Sequence, residues 1–171
     1  MRIIGIDPGT ATTGFSIIEV NSNKIKLLEY GCIRTQAGLS QSIRLNQIAK
    51  DLTTLIKKFK PNHAAIEKLF FKKNIKTAMT VSEAKGVIMQ KFEESCIESS
   101  QYSPLEIKNA ICGYGKADKK MIQQMVKLML NLPKIPRPDD AADAIAIAIC
   151  HANSLAFKKR LSSSHSSNQS S

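Results

Sequence analysis

Arg2-Ile3-Ile4-Gly5-Ile6-Asp7-Pro8-Gly9-Thr10 opens as an apolar run that proline and glycine bring to a stop, leaving a carboxylate at the end of a strand. Thr13-Gly14-Phe15-Ser16-Ile17-Ile18-Glu19-Val20 is β-branched and aromatic, and Asn21-Ser22-Asn23 turns it into Lys24-Ile25-Lys26-Leu27-Leu28-Glu29-Tyr30. Three antiparallel strands follow from that. The period then changes. Ile48, Leu52, Leu55, Ile56 and Phe59 recur at three- and four-residue steps, the face of a helix ending near Lys60-Pro61. Ala64-Ala65-Ile66 comes next, with Glu67 at its end; its length predicts a buried strand, laid parallel to the first through the helical crossover. The class is therefore α/β. Asp7 and Glu67 both end strands at the edge where open α/β sheets bind ligands.

The second half reads as mostly helical. Ile75 to Glu94 is long and amphipathic, and Ser103-Pro104-Leu105-Glu106 is a capping box with proline at the first helical position. Met121, Ile122, Met125, Val126, Met129 and Leu130 form a helix stripe, in which methionine reads as core. Pro133, Pro136 and Pro138 break the chain, and a last helix is predicted from Asp139 or Asp140 to about Phe157. Lys158-Lys159-Arg160 and the serine-rich residues beyond carry no apolar pattern. Residues 1–157 are expected to form a single domain and residues 158–171 a disordered tail.

Length and composition agree. A chain of 171 residues makes one ordinary domain, burying roughly 70% of its surface. Hydrophobic residues at 43% and charged residues at 23% exclude a disordered protein. Twenty-five Lys and Arg against fourteen Asp and Glu leave +11, which points towards a polyanion, although crowded basic surfaces give the same number. Cys32, Cys96, Cys112 and Cys150 form no CxxC or CxxH pair, which argues against zinc and predicts reduced, buried thiols. The first residues do not form a signal peptide, and the longest apolar run, Ala144 to Cys150, is far below the ~20 residues of a membrane span. The expectation is a cytoplasmic protein with no membrane partner.

Four acids stand where acid is awkward. Besides Asp7 and Glu67, Asp140 and Asp143 are three apart at a helix start and can point the same way. Asp143 lies among alanines and isoleucines, where a lone carboxylate is costly without a partner. Each has a plain alternative: Asp7 as a turn residue, Glu67 as a surface charge, Asp139 or Asp140 as a helix N-cap. Together they suggest a cluster. Carboxylates ~4 Å apart repel by ~4 kcal/mol at a protein surface, so cations must lie between them. With no His or Cys alongside, Mg²⁺ or Mn²⁺ fits best. Two such ions held by carboxylates make the phosphodiester-cleaving arrangement. From Lys57 to Lys76 there are seven lysines against one acid, Glu67, with Phe70 and Phe71 inside the run, a mixture that suits splayed, stacked bases. Lys108, Lys116, Lys119 and Lys120 make a second patch, and a solvated helix face is the alternative for any one lysine.

Three motifs carry a resemblance: Gly5-Ile6-Asp7-Pro8-Gly9 with Thr13-Gly14; Ala65-Ile66-Glu67 with Phe70 and Lys73-Asn74; and Asp140-Ala141-Ala142-Asp143-Ala144-Ile145-Ala146-Ile147-Ala148. In this order and spacing they resemble the RuvC family of Holliday-junction resolvases, over most of residues 2–152. The resemblance implies an RNase H-like fold with a five-stranded mixed sheet flanked by helices. It also implies a bacterial homodimer that cuts two opposed strands of a four-way DNA junction, leaving 5′-phosphate and 3′-hydroxyl ends, in recombination and repair. By position, Asp7, Glu67, Asp140 and Asp143 match the family's metal-binding acids, holding two Mg²⁺ ions, with Mn²⁺ as an alternative. Phe70 matches its junction-contacting aromatic, Lys73 and Asn74 adjoin it, and Lys108 and Lys119 match lysines near the scissile phosphate. RuvA–RuvB branch-migration machinery is the implied partner. Glu83-Ala84-Lys85-Gly86 departs from the family's usual Gln-Ala-Arg-Gly, and Asp139 adds an acid beside Asp140. An actin-like ATPase would need a second domain for which there is no room. A non-catalytic DNA-binding protein would leave the four acids unexplained, and an RNase H-like nuclease acting on RNA is separated only by the family match.

Overall fold

The computed structural model describes the backbone of residues 1–22, 24–69 and 75–166 and the side chains of 1–22, 24–69 and 78–162. Strands β1 (Arg2–Asp7), β2 (Thr12–Asn21) and β3 (Lys24–Arg34) form an antiparallel meander. Helix α1 (Gln41–Phe59) crosses to β4 (His63–Glu67), and α2 (Ile75–Glu94) leads to β5 (Glu98–Tyr102). Helices α3 (Pro104–Cys112), α4 (Lys119–Met129) and α5 (Asp139–Ser166) follow. The sheet order is β3-β2-β1-β4-β5, with β4 parallel to both its neighbours, so the expected five-stranded mixed sheet is present.

Strand alternation divides the core. Ile4 and Ile6 of β1 and Ile66 of β4 face Ile48 and Leu52 of α1 and Ile88 and Phe92 of α2, all buried. The opposite face carries Ala65, which packs with Ile107 of α3, Val126 of α4 and Ile145 and Ile149 of α5. Ile3 and Ile18 meet Ala148 and Ala152 of α5.

Helix α5 lies against the sheet more closely than side chains would permit. A methyl group placed on Gly5 would stand 2.2 Å from the Ala144 carbonyl oxygen and 2.8 Å from Ala148 Cβ. One placed on Gly14 would stand 2.0 Å from the Asp140 carbonyl oxygen. The Ser16 hydroxyl, paired with Gly5 in the β1–β2 register, donates to that same Ala144 carbonyl at 2.9 Å. Two glycines, one serine and a line of alanines thus seat the first turns of α5 directly on β1 and β2.

Several elements differ from the sequence reading. β5 has no strand signature, because Glu98-Ser99-Ser100-Gln101-Tyr102 is a polar edge strand paired only with β4. Helix α5 runs on to Ser166 rather than ending near Phe157. Lys158-Lys159-Arg160-Leu161 are good helix formers, and their positive charge suits a helix C-terminal half. On α4 the core face is Ile122, Met125, Val126 and Leu130, whereas Met121 and Met129 are exposed. The four cysteines are unpaired as expected, but only Cys150 is buried and Cys96 is exposed. Among the described residues no helix is long and apolar enough to cross a membrane.

The Gly5 contact is with backbone, which cannot swing aside. Gly5→Ala should therefore cost about 1–3 kcal/mol or more, read as a fall in the denaturant midpoint at unchanged m-value; wild-type stability would mean that α5 is not seated on this residue.

Candidate active site

The parallel β1–β4 pairing aligns Ile6 with Ile66, which brings the next residues, Asp7 and Glu67, side by side at the C-terminal ends of the two strands. Asp7 shares its strand face with Gly5, and Glu67 shares its face with Ala65, so both side chains are directed to the side covered by α5. Asp140 and Asp143 belong to the first turns of that helix, and the contact at Gly14 lays Asp140 over the residue paired with Asp7. The acids distant in sequence are thus placed together by one strand pairing and one helix seat.

Electrostatics record the crowding. Burial first, then the charges of Glu67 and Asp143, a hydrogen bond with Glu67 and the charge of Asp140, push the Asp7 carboxyl up to about 8. Burial also raises Glu67, with Asp143 adding to it and the Asp7 hydrogen bond, Lys85 and Lys119 opposing. Asp143 is raised by burial, against the Lys119 hydrogen bond. Asp139 behaves differently. Its hydrogen bond from Gln123, and then Lys119 and Arg137, hold its carboxyl below the usual range. Asp139 Oδ1 accepts from Gln123 Nε2 at 3.1 Å and from Arg137, while its Oδ2 lies 3.5 Å from the same Lys119 Nζ that donates to Asp143. Asp140, not Asp139, is the member that acts on Asp7.

Basic side chains rim the acids. Lys119 Nζ donates to Asp143 Oδ2 at 3.0 Å, and with Lys108, Glu67 and Ile122 it lines a cleft of 210 Å³ beside the cluster. On another side Lys68 and Lys85 line an open pocket of 390 Å³. Lys85 Nζ donates to Gln101 Oε1 at 2.7 Å, and burial lowers its pKa while Glu67 opposes. This single lysine, bonded to one amide oxygen, stands at the position where the sequence departs from the expected arginine. Beyond Asp140, Arg44 joins Thr10 and Thr12 in a third groove and donates from Nε to Thr35 Oγ1 at 2.8 Å. Nothing in the sequence marks Arg44, because its place depends on how α1 packs. Phe70, Lys73 and Asn74, expected to touch DNA, lie outside the described residues.

The donor set fits hard divalent ions. All four acids offer oxygen only, and their mutual repulsion in a partly buried site favours positive charge among them. Among the described residues no three His, Cys, Asp or Glu side chains already converge as a finished ligand set. Asp143 is instead hydrogen-bonded to Lys119.

Comparison with known proteins places the family and the fold. The family model described as crossover junction endodeoxyribonuclease RuvC matches residues 3–151. A crossover junction endodeoxyribonuclease RuvC of Heliobacterium modesticaldum is 47% identical over 157 residues, covering 92% of this chain and 97% of the relative. The structure of T. thermophilus RuvC in complex with Holliday junction substrate superposes with a TM-score of 0.85 at 31% identity, covering 89% of this chain and 93% of the other. The yeast mitochondrial Holliday junction resolvase, with a TM-score of 0.61 at 15% identity over 86% of this chain and 77% of its own, shares the fold.

A carboxyl whose folded pKa lies above its ordinary 3.8 takes up a proton on folding, so its contribution to stability declines as pH rises towards about 8. In EDTA, Asp7→Asn should accordingly be more stable than wild type near pH 8 by at least ~1 kcal/mol, or about 2–4 °C in Tm. The advantage should shrink towards pH ~5, where Asp7 is protonated in the fold. Thermal melts across that range check it, and a destabilised variant at pH ~8 would show that Asp7 is not under repulsion.

Proposed function

This chain belongs to the RuvC family of crossover junction endodeoxyribonucleases, and from that premise we propose that it resolves four-way DNA junctions by paired hydrolysis of phosphodiester bonds in two opposed strands. The observation that carries the reading is the meeting of Asp7, Glu67, Asp140 and Asp143 at one sheet end, inside a rim of lysines. Acids alone would repel a nucleic acid, and lysines alone would hold it without cutting. The combination suits holding and hydrolysis together.

In this reading the four carboxylates hold two Mg²⁺ ions, with Mn²⁺ as an alternative. Such ions, when bound, lower the pKa of water and neutralise charge on the scissile phosphate. Asp7 is central because the other three acids act on it. Lys108 and Lys119, together in the cleft beside Glu67 and Asp143, offer ammonium donors to phosphate oxygens. Lys68 and Lys85 extend the positive rim on the other side and position the strand through its backbone. Phe70, Lys73 and Asn74 follow Glu67 directly in the chain, a placement suited to bases opened near the cut. Two copies related by a two-fold axis would present their sites to equivalent phosphates of the junction. The products would carry 5′-phosphate and 3′-hydroxyl ends. RuvA–RuvB is the partner machinery, the bacterial cytoplasm the setting, and residues 1–157 the working domain.

An immobile four-way junction and a linear duplex, each incubated with Mg²⁺ or EDTA, test the reading. Cleavage should be confined to the junction with Mg²⁺. Asp7→Asn should reduce it by at least ~10³-fold while junction binding persists, and nicking at the wild-type rate would remove Asp7 from the site. With ~6 phosphate contacts, affinity should fall about 10³-fold between ~50 and ~200 mM salt. A flat response in a gel-shift titration would mean that the basic rim faces away from DNA.

A further inference from the structure

One ammonium in this site has two acceptors. Lys119 Nζ lies 3.0 Å from Asp143 Oδ2 and 3.5 Å from Asp139 Oδ2. We infer that Lys119 is a resident counter-charge that a divalent ion must displace from Asp143, and that Asp139 is the positioning residue that receives the displaced ammonium. The inference rests on the reading of Asp143 as a metal-binding acid.

Asp139 is built for that part. Its Oδ1 is taken by Gln123, a buried side chain, and by Arg137, which fixes the carboxylate and leaves Oδ2 towards Lys119. Lys119 is the first residue of α4, where the Asp118 side chain caps the helix by accepting from Met121 N at 2.8 Å. The lysine backbone is therefore held while its side chain is free to pivot. Half-exposed ion pairs of this kind contribute little to stability, so exchanging one carboxylate for the other costs little. Asp143 is the more buried acceptor and acts on Asp7, whereas Asp139 is the more exposed. An ammonium passed outwards stays beside Lys108 at the mouth of the same cleft, where a phosphate would meet it. Without Asp139, an ion would have to expel Lys119 into water.

A double-mutant cycle on Mn²⁺ binding to the metal-free full chain, measured by calorimetry, reads this directly. Lys119→Met should tighten Mn²⁺ binding about 5-fold, and Asp139→Asn should weaken it by a similar factor while Lys119 is present. In the Lys119→Met background, Asp139→Asn should change affinity by less than about 1.5-fold. Equal weakening in both backgrounds would reduce Asp139 to a distant negative charge and overturn the inference, as would no weakening in either. Lys119→Gln serves as a second removal of the charge should the methionine variant fold poorly. Asp143→Asn separates the two levels. If it leaves Mn²⁺ affinity at the wild-type value, the metal reading of Asp143 fails and the inference with it. If it abolishes tight binding while the cycle shows no coupling, only the role of Asp139 is lost.

Discussion

Like charges brought together out of water govern this molecule. Asp7, Glu67, Asp140 and Asp143 are drawn from the first strand, the fourth strand and the last helix, and burial makes their repulsion felt. The protein manages it in three ways. Burial and neighbouring charge raise the Asp7 carboxyl so that it gives up its proton less readily, Lys119 donates to Asp143, and Asp139 is held by Gln123 and Arg137. Each device is reversible, as a site that takes up cations and a polyanion requires. The fold stabilises an arrangement that its own electrostatics oppose, a usual mark of a working centre.

What holds the acids in register is steric. The parallel pairing of β1 with β4 fixes Asp7 against Glu67, and the bare backbone at Gly5 and Gly14 lets α5 come near enough for its acids to join them. Ala148 of α5 serves the same end, since a larger side chain there would lift the helix from the sheet. The two helical layers differ accordingly. Packing of α1 and α2 relies on Ile, Leu and Phe to fill volume, whereas α5 relies on small residues to remove it.

Much of this was legible in the chain itself. The strand ends at Asp7 and Glu67, the helix of residues 75–94 and the capping box at Ser103 all have local chemical causes, and each is found where its residues put it. The five-stranded count came from family likeness rather than from pattern, because Glu98-Ser99-Ser100-Gln101-Tyr102 reads as polar loop until β4 is there to pair with it. The ambiguity between Asp139 and Asp140 had no local answer either. Gln123 and Arg137, one from another helix and one from the segment before α5, hold Asp139 by contacts that no local pattern announces. Arg44 reaches the rim through tertiary packing and carries no motif of its own, and Lys85, marked only by family likeness, likewise reaches it through the fold. Periodicity reports what a residue does within its own element, and these residues act between elements.

The glycine seat under α5 carries a consequence for what can be changed in the enzyme. The carbonyl of Ala144 that rests on Gly5 is one residue from Asp143, and the carbonyl resting on Gly14 is that of Asp140 itself. Firmness of the scaffold and alignment of the reactive groups therefore draw on the same few atoms. Any change that loosens or tightens this joint would also move the acids, whereas the surface charges and the α1–α2 layer can be altered without touching it.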